Sequence, residues 1–275
     1  MINLFNYIDR PSPVHRLTGA TKLVCLILWS LASMVTYDTR ILILLPVIAI
    51  VLFTISKIKL RDVKFMLWVT VVFMVLNNVM VFVFAPQHGV SIYGTRTVLF
   101  TIGGPYVVTA EQLFYHFNLI LKYIAAIPML LLFVCTTNPS EFAASLNRIG
   151  VSYKIAYSVA LALRYIPDIQ REYHDISQSQ QARGIEMSKK ESLIRRLKAA
   201  SAILIPLILS SMDRIEVISN AMELRGFGKG KTRTWYMGRR FTAADIVSML
   251  LCALLLVISV AGIILMGTRF YNPFV

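Results

Sequence analysis

Five apolar stretches divide this chain, and each approaches the length that a helix needs to cross a lipid bilayer. Such a helix takes roughly 20 apolar residues, because the bilayer core holds no water to satisfy exposed backbone groups. Hydrophobic residues make up 57% of the chain and charged residues only 15%, whereas a soluble domain is roughly 45–50% hydrophobic. The pattern predicts an all-α polytopic membrane protein with about five transmembrane helices. The predicted spans are 23–37, 41–56, 65–85, about 112–136 and 243–267.

Lysine and arginine are unevenly distributed between these spans. Residues 137–242 contain 17 of the 28 basic side chains, whereas 86–111 contain one. Because cytoplasmic loops of membrane proteins are enriched in lysine and arginine, the N-terminus and 137–242 are expected to be cytoplasmic and the C-terminus external. In the loop 85–109, apolar residues alternate and glycines mark turns. This loop is predicted to form a small external hairpin or re-entrant flap.

The chain is therefore predicted to have three parts. Residues 1–136 form an N-terminal transmembrane bundle of four spans, and the first span is short unless Gly19 to Lys22 belong to it. Residues 137–242 form a cytoplasmic domain, and residues 243–275 form the last transmembrane helix with a short external tail. The localisation implied is the cell membrane, with the bilayer itself as one partner.

Two long helical patterns, 153–184 and 191–226, occupy the cytoplasmic part. Both are apolar at the start and become charged toward the end. Their apolar runs are too short and too interrupted to span a membrane. We expect them to lie beneath the bilayer, with one face against the bundle and the far end in water.

Each of these patterns ends in the same short sequence. ISQSQQARG at 176–184 and ISNAMELRG at 218–226 share Ile-Ser at the front and Arg-Gly at the end. One Arg-Gly pair is a common helix stop, because glycine adopts the left-handed conformation and arginine suits the negative end of the helix dipole. Two matched copies favour a further role, because a guanidinium on a projecting helix end can bind a carboxylate on another protein. The repeat suggests two partner surfaces, or one partner present twice.

The two endings resemble the paired Ala-Arg-Gly motifs of the transmembrane T subunit (EcfT) of energy-coupling factor (ECF) transporters, which are ATP-driven vitamin and metal importers. The second ending departs from the motif, since Leu224 stands in place of alanine. The resemblance covers most of the chain: SPVHRLTGATKL (12–23), TTNPSEFAASLNRIGV (136–151), LALRYIPDI (161–169), both endings and one last span.

The resemblance implies a non-catalytic coupling subunit that needs no cofactor. In that family, two cytoplasmic helices insert their arginine ends into two ABC-type ATPase subunits, and their apolar faces hold a separate membrane protein that binds the substrate (the S protein). It implies ATPase docking by Arg183 and Arg225, with small neighbours that allow close approach at Ala182, Gly184 and Gly226. It also implies S-protein contacts around 153–169 and 199–212, namely at Tyr157, Leu161, Leu204, Leu207 and Leu209. The identity of the vitamin or micronutrient is left open, because specificity in that family resides in the S protein.

Patterns for other chemistry are weak in this sequence. GFGKGKT at 226–232 fails as a phosphate loop, because Arg225 stands where the pattern needs a glycine. The histidines lack ligand spacing, and the cysteines at 25, 135 and 252 are expected to pack in or beside apolar spans, so no metal site is predicted. Asn77 and Asn78 could line a polar path, but the pattern favours interhelical hydrogen bonds for them. Lys122, inside the fourth span, is expected to snorkel or to pair with a carboxylate of a neighbouring chain.

Two alternatives remain at the level of the sequence. A permease subunit of an ordinary ABC importer would line the substrate path itself, and EFAASLNRIG at 141–150 loosely resembles the docking loop of that class, although Phe142 and the glycine spacing differ. A lipid-modifying membrane enzyme would need clustered acidic or histidine residues at the membrane face. The nine acidic residues of 137–242 are instead dispersed among basic ones. Neither alternative predicts a nucleic-acid partner.

Overall fold

The computed structural model describes residues 10–103, 106–184, 193–230, 234–236 and 238–274. Over these ranges the chain forms ten helices and one two-stranded sheet. The helices are α1 (Pro13–Arg16), α2 (Gly19–Val35), α3 (Thr39–Ile55), α4 (Leu60–Phe84), α5 (His88–Tyr93), α6 (Ala110–Thr136), α7 (Pro139–Arg148), α8 (Tyr153–Ala182), α9 (Leu193–Leu224) and α10 (Ala243–Met266). The strands are β1 (Val98–Gly103) and β2 (Tyr106–Thr109). The protein is an all-α polytopic membrane protein with one small hairpin.

The five predicted spans all form helices, but they are of two kinds. In the described part of the chain, three helices are long and apolar enough to cross a membrane: α4, α6 and residues Ala243–Leu265 of α10. The helices α2 and α3 are apolar but have 17 residues each, slightly below the roughly 20 residues of a typical span. Gly19 to Lys22 do belong to the first of them, because the side chain of Thr18 caps the helix at that point.

Contacts divide the chain into two compact units. Unit 1 consists of Met1–Asn138 and Arg239–Val275, and unit 2 consists of Pro139–Gly238. In unit 1, α2 packs against both α6 and α10, and α3 packs against α6. Trp29 lies at the centre of this core and donates its indole N–H to the carbonyl of Ala125 at 2.9 Å. Unit 2 contains α7, α8 and α9.

The predicted hairpin between α4 and α6 is present. Strands β1 and β2 pair antiparallel, and α5 precedes them. Gly89 in α5 approaches the backbone of α6 so closely that a Cβ there would lie 2.6 Å from the Cα of Gln112. The side chain of Gln112 accepts the N–H of Gly89 at 2.7 Å and also contacts His116, whose Nδ1 lies 2.9 Å from the amide oxygen of Asn78. The interhelical hydrogen bond predicted for Asn78 therefore exists, and it joins α4 to α6.

Lys122 has its partners within its own chain. Its Nζ donates to the carbonyl of Met34 at 3.1 Å and lies 3.2 Å from the centre of the Tyr37 ring. Arg269, beyond α10, donates to the carbonyls of Met34 and Val35, both at 2.6 Å. Two cations thus satisfy the last carbonyls of α2, where the helix dipole is negative.

Candidate functional site

The helices α8 and α9 of unit 2 run antiparallel. Near the start of α8, the ring of Tyr157 lies 4.9 Å from that of Phe227, just beyond the end of α9. Near the end of α8, the side chain of Gln180 donates to the carbonyl of Ala202 at 3.3 Å, in the first part of α9. Residues early in α8 therefore contact residues late in α9, and residues late in α8 contact residues early in α9.

A polar cluster joins the middle of this helix pair. The carboxylate of Glu172 on α8 accepts a hydrogen bond from Arg214 on α9 at 2.7 Å and another from the hydroxyl of Ser210. The guanidinium of Arg214 also lies 5.9 Å from the centre of the Tyr165 ring. Because a partly buried, charge-assisted pair is directional, it fixes the register of the two helices. This cluster could not be predicted from the sequence, because its members on the two helices are separated by about forty residues and follow no local spacing.

A cavity of about 390 Å³ lies between α8 and α9. It is bordered by the arginine of this cluster but is lined mostly by apolar side chains. Leu161, one of the predicted contact residues, lines it together with Tyr165 and Met222.

Arg183 caps the end of α8, and its side chain is exposed. Gly184 follows with φ of 84°, a left-handed conformation that glycine adopts without strain, and its N–H donates to the carbonyl of Gln181 at 3.0 Å. A Cβ at Gly184 would meet nothing within 4 Å. The backbone conformation, and not crowding within the chain, therefore requires glycine here. Ala182 is the last residue of α8 and is also exposed.

The end of α9 is built in the same way. Gly226 has φ of 67° and donates its N–H to the carbonyl of Glu223 at 2.8 Å, and Phe227 donates to Met222 at 2.9 Å. These two bonds form a Schellman motif, which satisfies carbonyls that the helix leaves without partners. The exposed Arg225 is thereby held at the helix end. The helix-stop interpretation of both Arg-Gly endings is confirmed, and it is compatible with a further role in docking.

Antiparallel packing places the two arginines at opposite ends of unit 2. From Tyr157 to Arg183, α8 extends roughly 40 Å at about 1.5 Å per residue. Arg225 lies next to the other end of that length, because Phe227 contacts Tyr157. The two guanidinium groups are therefore roughly 40 Å apart, too far to enter one groove.

Large apolar side chains are exposed along α9. Leu204, Ile208, Met212 and Ile215 are exposed and follow one another at intervals of three or four, so they share one face of the helix. Among residues 197–224 of α9, the other large apolar side chains that are exposed are Leu197, Ile205, Leu209, Val217 and Leu224.

The predicted S-protein contacts differ in accessibility. Leu204 and Leu209 are 48% and 57% exposed, whereas Leu207 is only 8% exposed. Tyr157 and Leu161 are half-buried. Of the five, only Leu204 and Leu209 are exposed, each over about half of its surface, while Leu207 packs inside the chain.

The described residues offer a surface for protein recognition. Among them, no group of three or more histidine, cysteine, aspartate and glutamate side chains could hold a metal ion. In the GFGKGKT stretch, the N–H groups of Gly226 and Phe227 are already used by the helix stop, and residues 231–233 lie outside the described ranges. Exposed cations at two helix ends and an apolar helix face are suited to binding carboxylates and apolar surfaces of other proteins.

Comparison with known proteins gives one consistent family. The model of the cobalt transport protein family CbiQ matches residues 10–236. The energy-coupling factor transporter transmembrane protein EcfT of Heliobacterium modesticaldum is 30% identical over 246 residues, covering 84% of this chain and 87% of that protein. EcfT of Bacillus subtilis is 27% identical over 265 residues, covering 91% and 95%. EcfT 1 of Listeria monocytogenes is 26% identical over 278 residues, covering 96% and 97%.

Proposed function

Because the chain belongs to the CbiQ/EcfT family and is a transmembrane subunit of an energy-coupling factor transporter, we propose that it couples ATP hydrolysis to substrate release. Its proposed partners are two ABC-type ATPase subunits and a separate membrane-embedded S protein that binds a vitamin or related micronutrient. The observation that carries this proposal is the pair of exposed arginines, Arg183 and Arg225, at opposite ends of one antiparallel helix pair.

The distance between Arg183 and Arg225 supports two separate ATPase sites. Guanidinium groups roughly 40 Å apart would each enter an acidic groove on a different ATPase subunit. The helix stops hold each arginine at the tip of its helix, and the Glu172–Arg214 pair ties the helices together. A change in the distance or angle between the ATPases would therefore move both helices at once.

The S protein is proposed to bind the apolar face of α9. An exposed row of leucine, isoleucine and methionine is costly in water, and contiguous rows of this kind mark protein or membrane contacts. Leu204 and Leu209 belong to this surface, and exposed neighbours at Ile205, Ile208 and Met212 extend it. Movement of α9 would then be passed directly to the bound S protein.

The ordinary permease alternative is less well supported. Such a subunit docks on its ATPase through one short loop, whereas this chain presents two long helices with matched arginine ends. Nor does the described part of the chain offer the clustered acidic and histidine side chains that the lipid-modifying alternative would need.

We propose that the N-terminus and unit 2 are cytoplasmic and that the C-terminus is external. Single cysteines at Ser91 in α5 and Arg61 in α4 test this orientation, because both positions are exposed and the native cysteines are buried. An impermeant thiol reagent is expected to label Ser91→Cys in intact cells and Arg61→Cys only after permeabilisation. Labelling of Arg61→Cys in intact cells would show that the orientation is reversed. The segment 185–190, also predicted to be protected, lies outside the described residues.

The purified chain alone is expected neither to bind nor to hydrolyse ATP. Hydrolysis should appear when the chain is co-expressed with its ATPases and S protein, and mass spectrometry of the purified complex should find two ATPase copies per chain. The measurements are equilibrium binding of a labelled ATP analogue and release of phosphate. Stoichiometric nucleotide binding by the isolated chain would contradict the proposed division of labour.

A further inference from the structure

The first turn of α2 is joined to the first turn of α10 by one carboxylate. Asp245 is fully buried, and its Oδ1 accepts the backbone N–H of Thr18 at 2.8 Å. Its Oδ2 accepts the backbone N–H and the hydroxyl of Thr242, at 2.8 and 2.7 Å. Asp245 thus completes the capping box of its own helix and also binds the cap residue of α2.

The same turn of α2 is joined to the last turn of α6 by one ammonium group. Lys22 is 5% exposed, and its Nζ donates to the carbonyl of Thr136, the last residue of α6, at 2.8 Å. It also donates to the carbonyl of His15 at 3.4 Å, near the end of α1. A cation at the carbonyl end of α6 and a carboxylate at the N–H ends of α2 and α10 each complement a helix dipole.

We use the name junction clamp for the five residues Thr18, Lys22, Thr136, Thr242 and Asp245. Buried charged groups persist only where hydrogen bonds compensate for their lost hydration, and both charges of the clamp bind backbone groups of other helices. Removing Lys22 would therefore leave the end of α6 without that partner, and removing Asp245 would do the same to the starts of α2 and α10.

The clamp stands where the chain passes between its two units. The chain passes from unit 1 into unit 2 between Asn138 and Pro139 and returns to unit 1 between Gly238 and Arg239. Thr136 lies two residues before Asn138, and Thr242 lies three residues after Arg239. Both covalent connections are thus fastened to one turn of α2, which itself packs along α6 and α10.

We infer that the junction clamp transmits movement of unit 2 into the membrane bundle, and that Lys22 and Asp245 are positioning residues for coupling. This inference rests on the proposed coupling function. With the clamp intact, a displacement of either connection moves α2, α6 and α10 as one body. With the clamp broken, the same displacement is absorbed by fraying of the last turn of α6 or the first turn of α10.

The test uses the complete transporter, reconstituted in liposomes, with Lys22→Met and Lys22→Arg. Methionine keeps the length and apolar stem but removes the charge, whereas arginine keeps a cationic donor. Phosphate release measures hydrolysis, and a panel of radiolabelled water-soluble vitamins probes uptake. We expect the Lys22→Met complex to retain its ATPases and S protein. We expect its uptake per ATP hydrolysed to fall about tenfold, because the substitution removes one charge-assisted hydrogen bond. Lys22→Arg should recover most of that ratio.

Trp29→Phe is the matched control. It removes another donor from α2 to a backbone carbonyl of α6, the bond to Ala125, but in the middle of the core and away from the connections. Lys22→Met and Trp29→Phe are both expected to lower the thermal stability of the complex, and only Lys22→Met should lower uptake per ATP. If the ratio follows thermal stability equally in both variants, or is unchanged in Lys22→Met, the clamp has no role in coupling.

The results also distinguish failure of the clamp inference from failure of the proposed coupling function. A wild-type chain that assembles with no ATPases would refute the coupling function and the clamp with it. A wild-type complex that couples normally, beside a Lys22→Met complex that couples equally well, would refute the clamp alone.

Discussion

Replacing both Arg183 and Arg225 with alanine is expected to release the ATPase subunits while the chain stays in the membrane and keeps its S protein. Each arginine would form a charge-assisted contact worth roughly 1.5–3 kcal/mol in the complex, and removing one partner of a desolvated pair costs about 2–5 kcal/mol. Either single substitution should weaken assembly or slow transport only partly, because the other helix end still binds. The double substitution removes both contacts and with them the avidity of the pair.

Co-purified ATPase and substrate uptake should be measured for both single variants and for the double variant. Arg171→Ala is a matched control, because Arg171 is an exposed arginine on the same helix, with only a loose 3.7 Å contact to Asp168. If Arg183 and Arg225 serve only as helix ends, the double variant should lose no more than about 1 kcal/mol per end. A double variant with a full complement of ATPases and normal uptake would end the docking proposal.

The helices were largely predictable because local signals set their ends. The helical pattern predicted at 153–184 corresponds to α8, Tyr153–Ala182. The helix ends there because Gly184 adopts the positive φ that a helix stop of this type requires. Likewise α10 begins at the predicted Ala243, after a Thr-x-x-Asp capping box that is visible in the sequence. The predicted third span, 65–85, lies almost wholly within α4, which begins five residues earlier at Leu60. The first turn of α4 carries charged residues, so apolar composition alone does not locate the start of the helix.

What the sequence could not provide was the pairing of distant elements. Both arginine endings were recognised, but their separation depends on the antiparallel contact of Tyr157 with Phe227. Leu207 is buried because its face of α9 packs inside the chain. Apolar residues lie on several faces of α9, so periodicity alone does not predict which of those faces is buried. Asp245 was missed for the same reason, because its second partner, Thr18, is 227 positions away along the chain.

Replacing both Leu204 and Leu209 with glutamine is expected to release the S protein while both ATPases stay bound. This is the reverse of the result expected for the Arg183/Arg225 double variant. Fully burying a leucine side chain is worth about 1.5–3 kcal/mol. Because Leu204 and Leu209 are 48% and 57% exposed, the two together account for roughly 1.5–3 kcal/mol, or about 10- to 100-fold in affinity. Glutamine is similar in length and keeps a good helix propensity, so α9 itself should be preserved.

Two further variants decide whether this loss is specific. Leu197→Gln changes a leucine that is 74% exposed on the same helix but lies outside the predicted contact region, and it should retain the S protein. Leu207→Ala removes a buried side chain, and it should instead lower the stability of unit 2 by about 2–5 kcal/mol through the cavity it leaves. Co-purification of S protein and ATPase, beside thermal unfolding, distinguishes these results. If the Leu204/Leu209 variant retains its S protein, the apolar face of α9 is not the docking surface. If that variant loses its ATPases as well, the apolar face of α9 and the arginine ends of the two helices are not independent docking surfaces.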